Sequence, residues 1–462
     1  MSPALRATTL PLRSEVAIVA TRIVNAVSRR LGLGSGTVAG GRIGMAIDPS
    51  LLGRLSTGRV VALVSGTNGK TTTTRLLATA MAGEGEAVVT NATGSNMPAG
   101  HLAPLVAGPL RVPVVLEVDE AYLPQSVNVL APAAVVLLNL SRDQLDRTSE
   151  VRMLAGRWRA ALNGARGTTV VANADDPLVV WGALGAQDVI WVAAGIGWRN
   201  DAVGCPACGG RIVFADADAG AGADSGGGGA VERGGWACTS CDLGRPEPDV
   251  SIEEGGGGEA LAVLSDGRRV PVKISLPGRF NRANAVMSAV AAHALGHDLD
   301  QSLRAMAAVE DVAGRFTVRT VGGVPARLLL AKNPAGWAEL LQLVRTGTEP
   351  VVVAINARVA DGRDPSWLWD VPFESLAGRV VVASGDRCRD LSVRLHYAGV
   401  AHETIGDPSA AVAVAARSGT GTVQCGTVQS GTVQSGTVQF VGNYTAFNEV
   451  LGLSTATGTG RR

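Results

Sequence analysis

The sequence predicts an α/β protein of two parallel-sheet domains, the larger one first and interrupted by a small metal-binding insert. Three observations carry this. Short apolar runs alternate with stretches of helical periodicity through most of the 462 residues, the pattern of strands joined by crossover helices. One such run, Val60 to Val64, leads through a glycine turn into a helix with a lysine and a hydroxyl at its start. Two Cys-x-x-Cys pairs stand near one another in mid-chain, a spacing of zinc-ribbon type.

Composition bounds the partners. A chain of this length holds about two or three domains, and 46% hydrophobic residues supply their cores. Lys and Arg number 41 against 40 Asp and Glu, a net charge of +1. Bulk charge therefore gives no support for a nucleic-acid partner. No apolar run reaches the roughly eighteen residues of a membrane span. The first apolar stretch contains Glu15 and Arg22 and makes a poor signal peptide. A cytoplasmic location is the default expectation.

Residues 1–54 form an N-terminal helical segment in this reading. From Ser14 to Leu31 the apolar residues Val16, Val19, Ile23, Val27 and Leu31 recur at helical spacing. Ser14 is the expected N-cap, with Arg29 and Arg30 in the last turn. The apolar face is expected to pack on the next domain; a membrane surface is the alternative.

Residues 55–313 are the expected nucleotide-binding domain. Gly66-Thr-Asn-Gly-Lys-Thr71 follows the first strand. Gly66 and Gly69 let backbone N–H groups, with those of Thr67 and Asn68 between them, approach a phosphate. Lys70 adds a point charge, Thr71 a hydroxyl for Mg²⁺, and the helix N-terminus partial positive charge. Further strands are predicted at Val114–Val118, Ala134–Leu138 and Thr169–Val171. The acidic run Leu116-Glu-Val-Asp-Glu120 ends the first of these. Ligands of α/β sheets gather at carboxyl strand ends, so Glu117 is placed to hold the same Mg²⁺; a solvated charged loop is the alternative.

Composition then changes. Cys205-Pro-Ala-Cys208 and Cys238-Thr-Ser-Cys241 delimit an insert of about residues 202–245. Four thiolates fill a tetrahedral Zn²⁺ site and leave no open position, so the metal is structural. Gly204 and Gly209 are expected to permit the turns around sulfur, and the glycine-rich tract 219–229 to form a loop. Asn281 and Asn284, three apart at a helix start, share a face, and their amides suit an adenine edge. Asn281 as a simple cap is the alternative.

Residues 314–462 form a smaller α/β domain, with strands predicted at Ala326–Leu330, Val351–Ile355, Val380–Ala383 and Gln439–Val441. Its sharpest motif is Asp361-Gly-Arg-Asp-Pro-Ser-Trp-Leu-Trp-Asp370. Asp364 precedes a proline and a short helix, so an N-cap role is open to it. Residues 421–440 repeat Gly-Thr-Val-Gln with a period of five. An odd period flips faces at each repeat, so no regular half-buried strand results and a loop is expected.

The short phosphate loop resembles the ATP loop of the Mur ligase family, ATP-dependent amide-bond enzymes of peptidoglycan synthesis. The zinc insert and the Trp-containing acidic motif resemble the MurT branch of that family, the synthetase subunits of lipid II isoglutaminyl synthase. The resemblance covers residues 55 to 450 and implies a central parallel-sheet ATPase domain, a zinc-ribbon insert and a smaller C-terminal domain. It implies ATP and Mg²⁺ on Gly66 to Thr71 and Glu117, adenine against Asn281 and Asn284, and Arg315 of Gly314-Arg-Phe316 reaching phosphate. Asp364 is the implied acidic active-site residue, with Asp361 as its rival. A lysine and a histidine that many relatives use for a second Mg²⁺ are absent: Gln144 stands at the histidine position, and Gly156-Arg-Trp-Arg159 spans the lysine position.

The implied reaction is amidation of the D-glutamate α-carboxyl in the lipid II stem peptide. The carboxylate is phosphorylated by ATP and the acyl phosphate attacked by ammonia. Cys388, in Gly385-Asp-Arg-Cys-Arg389, lacks the glycine after it that a glutaminase nucleophile elbow wants, although His396 is near in sequence, and Cys425 sits in the repeat. A GatD-like glutaminase subunit in a heterodimer is therefore implied, with Asp364 completing or orienting its Cys-His pair, and lipid II met at the inner membrane face. Two other functions are weighed: a stand-alone Mur-like or folylpolyglutamate-type ligase, and an ATP-binding zinc-ribbon assembly module.

Overall fold

The computed structural model describes residues 10–31, 37–82, 85, 87–91, 95–142, 151–215, 235–255, 259–312, 316–418 and 437–456. They form two compact units. The first ends at Ala308 and the second begins at Val309, with short stretches near residues 141 and 275 grouping with the second.

The first unit opens with three helices, α1 (Leu12–Arg30), α2 (Thr37–Ile47) and α3 (Leu51–Ser56). Strand and helix then alternate as β1 (Val61–Ser65), α4 (Lys70–Ala82), β2 (Val89–Thr90), α5 (Pro98–Ala107), β3 (Val114–Glu117), α6 (Leu123–Leu130), β4 (Ala134–Leu137), α7 (Val151–Asn163), β5 (Thr169–Asn173), α8 (Pro177–Ala183) and β6 (Asp188–Ala193). The insert contributes the hairpin β7 (Ile212–Phe214) and β8 (Trp236–Cys238). After it come β9 (Val250–Glu254), β10 (Ala260–Leu264), β11 (Arg269–Pro271), α9 (Arg279–Ala294) and α10 (Leu299–Met306).

The main sheet has the order β11-β10-β9-β6-β5-β4-β1-β3-β2. From β2 to β9 neighbours run parallel, and β9 to β11 add an antiparallel meander. Every residue of β1, β3 and β4 is buried, which is why these strands read as unbroken apolar runs: helices cover both faces. The meander escaped the sequence prediction because β9 runs from half-buried Ser251 and Ile252 into exposed Glu253 and Glu254, a pattern with little apolar content.

The second unit contains β12 (Val318–Val321), β13 (Val324–Leu330), α11 (Pro334–Arg345), β14 (Val351–Ala354), β15 (Val381–Ser384), α12 (Cys388–Tyr397), β16 (His402–Thr404), α13 (Pro408–Ser418), β17 (Val438–Gly442) and α14 (Tyr444–Ala456). Its sheet order is β12-β13-β17-β14-β15-β16, with only β12 antiparallel to its neighbour. The four predicted strands fall within one or two residues of β13, β14, β15 and β17.

Helix α1 departs from expectation. Its buried residues are Ser14, Ala17, Thr21 and Asn25, while Leu12, Val16, Val19, Ile23 and Val27 are 75%, 51%, 54%, 57% and 47% exposed. The apolar face expected to pack inward points outward. Glycines on α2 explain the inversion. A Cβ on Gly40 would lie 2.1 Å from Asn25 Oδ1, and one on Gly44 2.3 Å from Thr21 Oγ1. The backbones meet so closely that only small and short polar side chains fit the seam. Ser14 is likewise no N-cap; it lies inside the first turn and donates to Asp48 Oδ2 at 2.5 Å.

Candidate functional site

The phosphate loop leaves β1 and enters α4 at Lys70. Gly66 and Gly69 have φ of 143° and 87°, a region that strains any residue with a Cβ. A Cβ on Gly66 would also meet Leu138 Cβ at 2.9 Å and Asn139 N at 3.0 Å. Asn139 pins the loop: its carbonyl accepts from Thr67 N (2.9 Å), its Oδ1 from Asn68 N (2.8 Å), and its Nδ2 donates to Asn68 O (3.0 Å). The first amides of α4 have no acceptor within the helix, and its positive end lies at the loop. This cradle fits nucleotide phosphates, and Thr71 is half-buried at its rim.

Lys70 folds back over the loop. Its ammonium donates to Gly66 O (2.6 Å) and Thr67 O (3.2 Å) and pairs with Glu120 Oε2 at 3.2 Å. Glu120 was legible only as one of the acids in the run after β3; its pairing with the lysine depends on where β3 lies. β3 is the neighbour of β1, with Val64 opposite Glu117. Glu117 thus ends beside the loop, and the structure fixes it from behind. Asn91 accepts from Glu117 N and donates to Glu117 O, both at 2.8 Å. His101 Nε2 donates to the same carbonyl at 3.0 Å. Burial pushes His101 down to about 4, against the carbonyls of Glu117 and Asn96 that pull it up, so the ring is neutral at ordinary pH. A Mg²⁺ bound between Thr71 and Glu117 would meet a hydroxyl and a carboxylate, the hard oxygen donors it prefers.

Asn281 and Asn284 are both buried on α9. A Cβ on Gly69 would lie 3.0 Å from Asn284 Oδ1, so this amide rests on the phosphate loop itself. Ser288, one turn on, donates to Thr73 O of α4 at 3.2 Å. In the stretch at the lysine position, Trp158 is fully buried and donates to Glu120 O at 2.8 Å, while Arg159 stacks on Trp181. No described residue of α7 offers a lysine.

The Sγ atoms of Cys205, Cys208, Cys238 and Cys241 all lie within 4.8 Å of one another. Cys205 and Cys241 are 3.6 Å apart, Cys208 and Cys238 3.5 Å. Tetrahedral thiolates at about 2.3 Å from Zn²⁺ would stand about 3.8 Å apart, so the cluster fits the ion. Gly210 N and Ser240 N each donate to a cysteine sulfur at 3.3 Å, as amides do around a bound thiolate. Of the two glycines expected to ease the turns, Gly209 has φ of 80°, whereas Gly204 is in an extended bridge to Arg211. The ribbon is tied to the main sheet. Trp236 is buried and donates to Ala174 O at 3.0 Å, Arg245 pairs with Asp175 at 2.6 Å, and Arg152 of α7 donates to Pro206 O at 2.9 Å. Next to that contact Asp176 caps α8 and accepts from Leu140 N at 2.9 Å. Complete burial pushes its carboxyl up to about 6 despite three backbone donors.

In the second unit the carboxyl ends of β14, β15 and β17 gather the polar residues. Asn443 accepts from Asn356 N (3.1 Å) and donates to Asn356 O (2.6 Å). Arg358 pairs with Asp386 at 2.8 Å and Glu449 at 3.0 Å, and the Asp386 carboxylate holds its guanidinium above the usual range. The two rival aspartates part company here. Asp361 is half-buried and caps α14, accepting from Thr445 N at 2.9 Å and from the Thr445 hydroxyl. Asp364 is exposed and accepts locally from Ser366 N and Ser366 Oγ, both at 2.9 Å. The N-cap role open to Asp364 is not taken up: Pro365 occupies the N-cap position of the short helix Ser366–Trp369, which has no side-chain cap bond, and Asp364 instead closes a local turn with Ser366. Beyond it, Trp367 stacks on buried Trp337 while Trp369 is 55% exposed against Tyr397.

Arg315, Gln144, Cys425, the 219–229 tract and the repeat up to residue 436 lie outside the described residues. Among the described residues no helix is long and apolar enough to cross a membrane.

Comparison with known proteins adds the following. The Mur ligase middle domain family matches residues 64–193, and the MurT ligase C-terminal family matches residues 330–447. The chain is 27% identical over 417 residues to the lipid II isoglutaminyl synthase (glutamine-hydrolyzing) subunit MurT of Streptococcus pneumoniae, covering 86% of this chain and 90% of that one. The subunit of the same description from Staphylococcus aureus is 26% identical over 405 residues, 84% of this chain and 89% of that one. Among solved structures, MurF from Acinetobacter baumannii superposes with a TM-score of 0.60 at 12% identity, over 90% of this chain and 80% of that one. A pseudomurein peptide ligase type C from Methanothermus fervidus gives 0.58 at 19%, over 85% and 78%. These two show the fold.

Proposed function

Because the chain belongs to the MurT family of Mur ligase-like, ATP-dependent ligases, we propose that it amidates the α-carboxyl of D-glutamate in the stem peptide of lipid II, giving D-isoglutamine. The observation that carries this is likeness to two isoglutaminyl synthase subunits over most of both chains. A carboxylate does not exchange its oxygen for nitrogen unaided, because oxide is a poor leaving group. Phosphoryl transfer from ATP forms an acyl phosphate and ADP. Ammonia adds to the acyl carbon, the C–O bond breaks, and phosphate leaves with the electron pair.

The residues of the chain take defined parts in this reading. Gly66, Thr67, Asn68 and Gly69 present the loop to the phosphates, and Lys70 neutralises the charge that builds during transfer. Thr71 and Glu117 hold Mg²⁺, which supplies Lewis-acid stabilisation of the phosphoryl oxygens. Asn281 and Asn284 border the nucleotide; the contact of Asn284 with Gly69 supports a place near the loop. Arg315 contributes a further phosphate contact. The zinc ribbon is structural.

The ammonia comes from a glutaminase partner. Of the two cysteines outside the ribbon, Cys388 opens α12 with no base hydrogen-bonded to its sulfur among the described residues. Asp364, exposed beside the exposed Trp369, is the residue offered to the partner's Cys-His pair, and Asp361 is the helix cap behind it. The chain would work at the inner membrane face, where a lipid-linked substrate is found.

The test is direct. The chain is incubated with ATP, Mg²⁺, lipid II and either ammonium or glutamine plus a candidate glutaminase, and the lipid is weighed. Amidation changes its mass by about one unit. An added amino acid would change it far more and sink the proposal in favour of a stand-alone ligase.

A further inference from the structure

We propose that the outward face of α1 is a membrane-docking surface that seats the first unit on an anionic bilayer; this rests on the reading that the substrate is lipid-linked. Leu12, Val16, Val19, Ile23 and Val27 fall within a third of the helix circumference, and each is about half exposed or more. Ile43 of neighbouring α2 is 41% exposed. Scattered exposed apolar residues need no explanation, but a continuous stripe along a helix of this length marks an interaction surface.

Among the described residues no other part of the unit packs over the stripe. The opposite side of α1 already makes the intramolecular seam, through Ala17, Thr21 and Asn25 against the glycines of α2. Val106 O at the end of α5 also accepts from Arg22 Nη2 at 2.9 Å. The helix is therefore held rigidly with its apolar side presented.

Charge selects the occupant. Arg13, Arg22, Arg29 and Arg30 on α1 and Arg42 on α2 are all exposed, against the single acid Glu15. An apolar helix face rimmed by arginines is the pattern of a helix lying in the headgroup layer: the side chains enter the acyl boundary and the guanidinium groups meet lipid phosphates. A second copy of the chain laid on the same stripe would gain apolar contact but set one positive rim against another. The one-signed rim favours an anionic lipid surface.

The full chain is mixed with vesicles of phosphatidylglycerol and phosphatidylcholine, or of phosphatidylcholine alone, and sedimented. The chain should pellet with the anionic vesicles, less so at high salt. The double variant Val19→Asp, Ile23→Asp should bind them at least ~10-fold more weakly, with its unfolding temperature unchanged because both sites are exposed. Its ATP-dependent amidation of a short-chain, water-soluble lipid II analogue should also be unchanged. Absence of vesicle binding by the wild type, or equal binding by the variant, overturns the proposal. So does a wild-type dimer in the ultracentrifuge that the variant turns to monomer, which would assign the stripe to a second copy. Failure to amidate the soluble analogue strikes the catalytic proposal instead and leaves the vesicle result standing.

Discussion

The ammonium of Lys70 lies 3.2 Å from the carboxylate of Glu120, both side chains little exposed, with the glycine loop carbonyls closing the other side of the lysine. The charge that should meet a phosphate is thus stored on an internal acid. Lys70→Ala should lower ATP-dependent turnover by about 100-fold or more. Glu120→Gln removes a competing negative charge from the phosphate cradle and should tighten ATP binding several-fold. Titration calorimetry with nucleotide checks the second outcome; weaker binding by Glu120→Gln would mean that this carboxylate helps to hold the metal.

The two aspartates of the C-terminal motif should separate in two assays. Asp361→Ala uncaps α14 and should cost about 1 kcal/mol of stability, read as a lower unfolding temperature. Asp364→Asn should leave the melt unchanged, because the residue is exposed. It should abolish glutamine-dependent amidation while sparing the ammonium-dependent reaction. Equal loss of both reactions would place Asp364 in the acyl-phosphate chemistry rather than at the partner.

Zinc removal has an internal reporter. Trp236 is buried between the ribbon and Ala174, and a structural zinc commonly holds such a small element folded. Metal analysis should find zinc in stoichiometric amount. Cys208→Ser or a strong chelator should red-shift tryptophan emission and lower the unfolding temperature. The Glu117 clamp is remote from the ribbon in the sheet order, so nucleotide binding should fall less than stability does.

Two buried groups should give opposite pH signatures. Asp176 is held at about 6, above its ordinary 3.8, so its contribution is fully present below pH 3.8 and is lost as pH rises through 6. At pH 7 the buried charge costs ~3 kcal/mol relative to the protonated form. Asp176→Asn should therefore compare more favourably with wild type at pH 7 than at pH 4. His101 is held at about 4, below its ordinary 6.5. Its contribution is present above 6.5 and is lost as pH falls through 4, so His101→Gln should compare more favourably at pH 4 than at pH 7. Urea midpoints at the two pH values check both signs.

What the sequence made legible was whatever depends on local order. Strand, glycine loop, lysine and hydroxyl follow one another in the chain, and so do the paired cysteines. Positions set by strand adjacency were harder. Glu117 came from the rule about carboxyl strand ends, but Asn139, which pins the loop, lies 71 residues from Asn68 and is one asparagine among many. What sets the surroundings of Asp361 apart from those of Asp364 is Thr445, 84 residues further on. For α1, periodicity located the helix but could not say which face turns inward. That was decided by Gly40 and Gly44 on the next helix, because hydrophobicity loses to steric fit where two backbones touch.

The strand β17 lies between β13 and β14 and bonds to both, although more than a hundred residues of chain separate it from the first of them. While the polypeptide is still emerging from the ribosome, Leu328 and Val352 have no partner for the backbone edges that Phe440 will later fill. The smaller unit must therefore wait, half-zipped, until the chain has been made as far as Gly442. A stop codon or frameshift in the Gly-Thr-Val-Gln tract would leave two bare edges in the middle of a sheet, an invitation to aggregate, rather than merely a shortened tail.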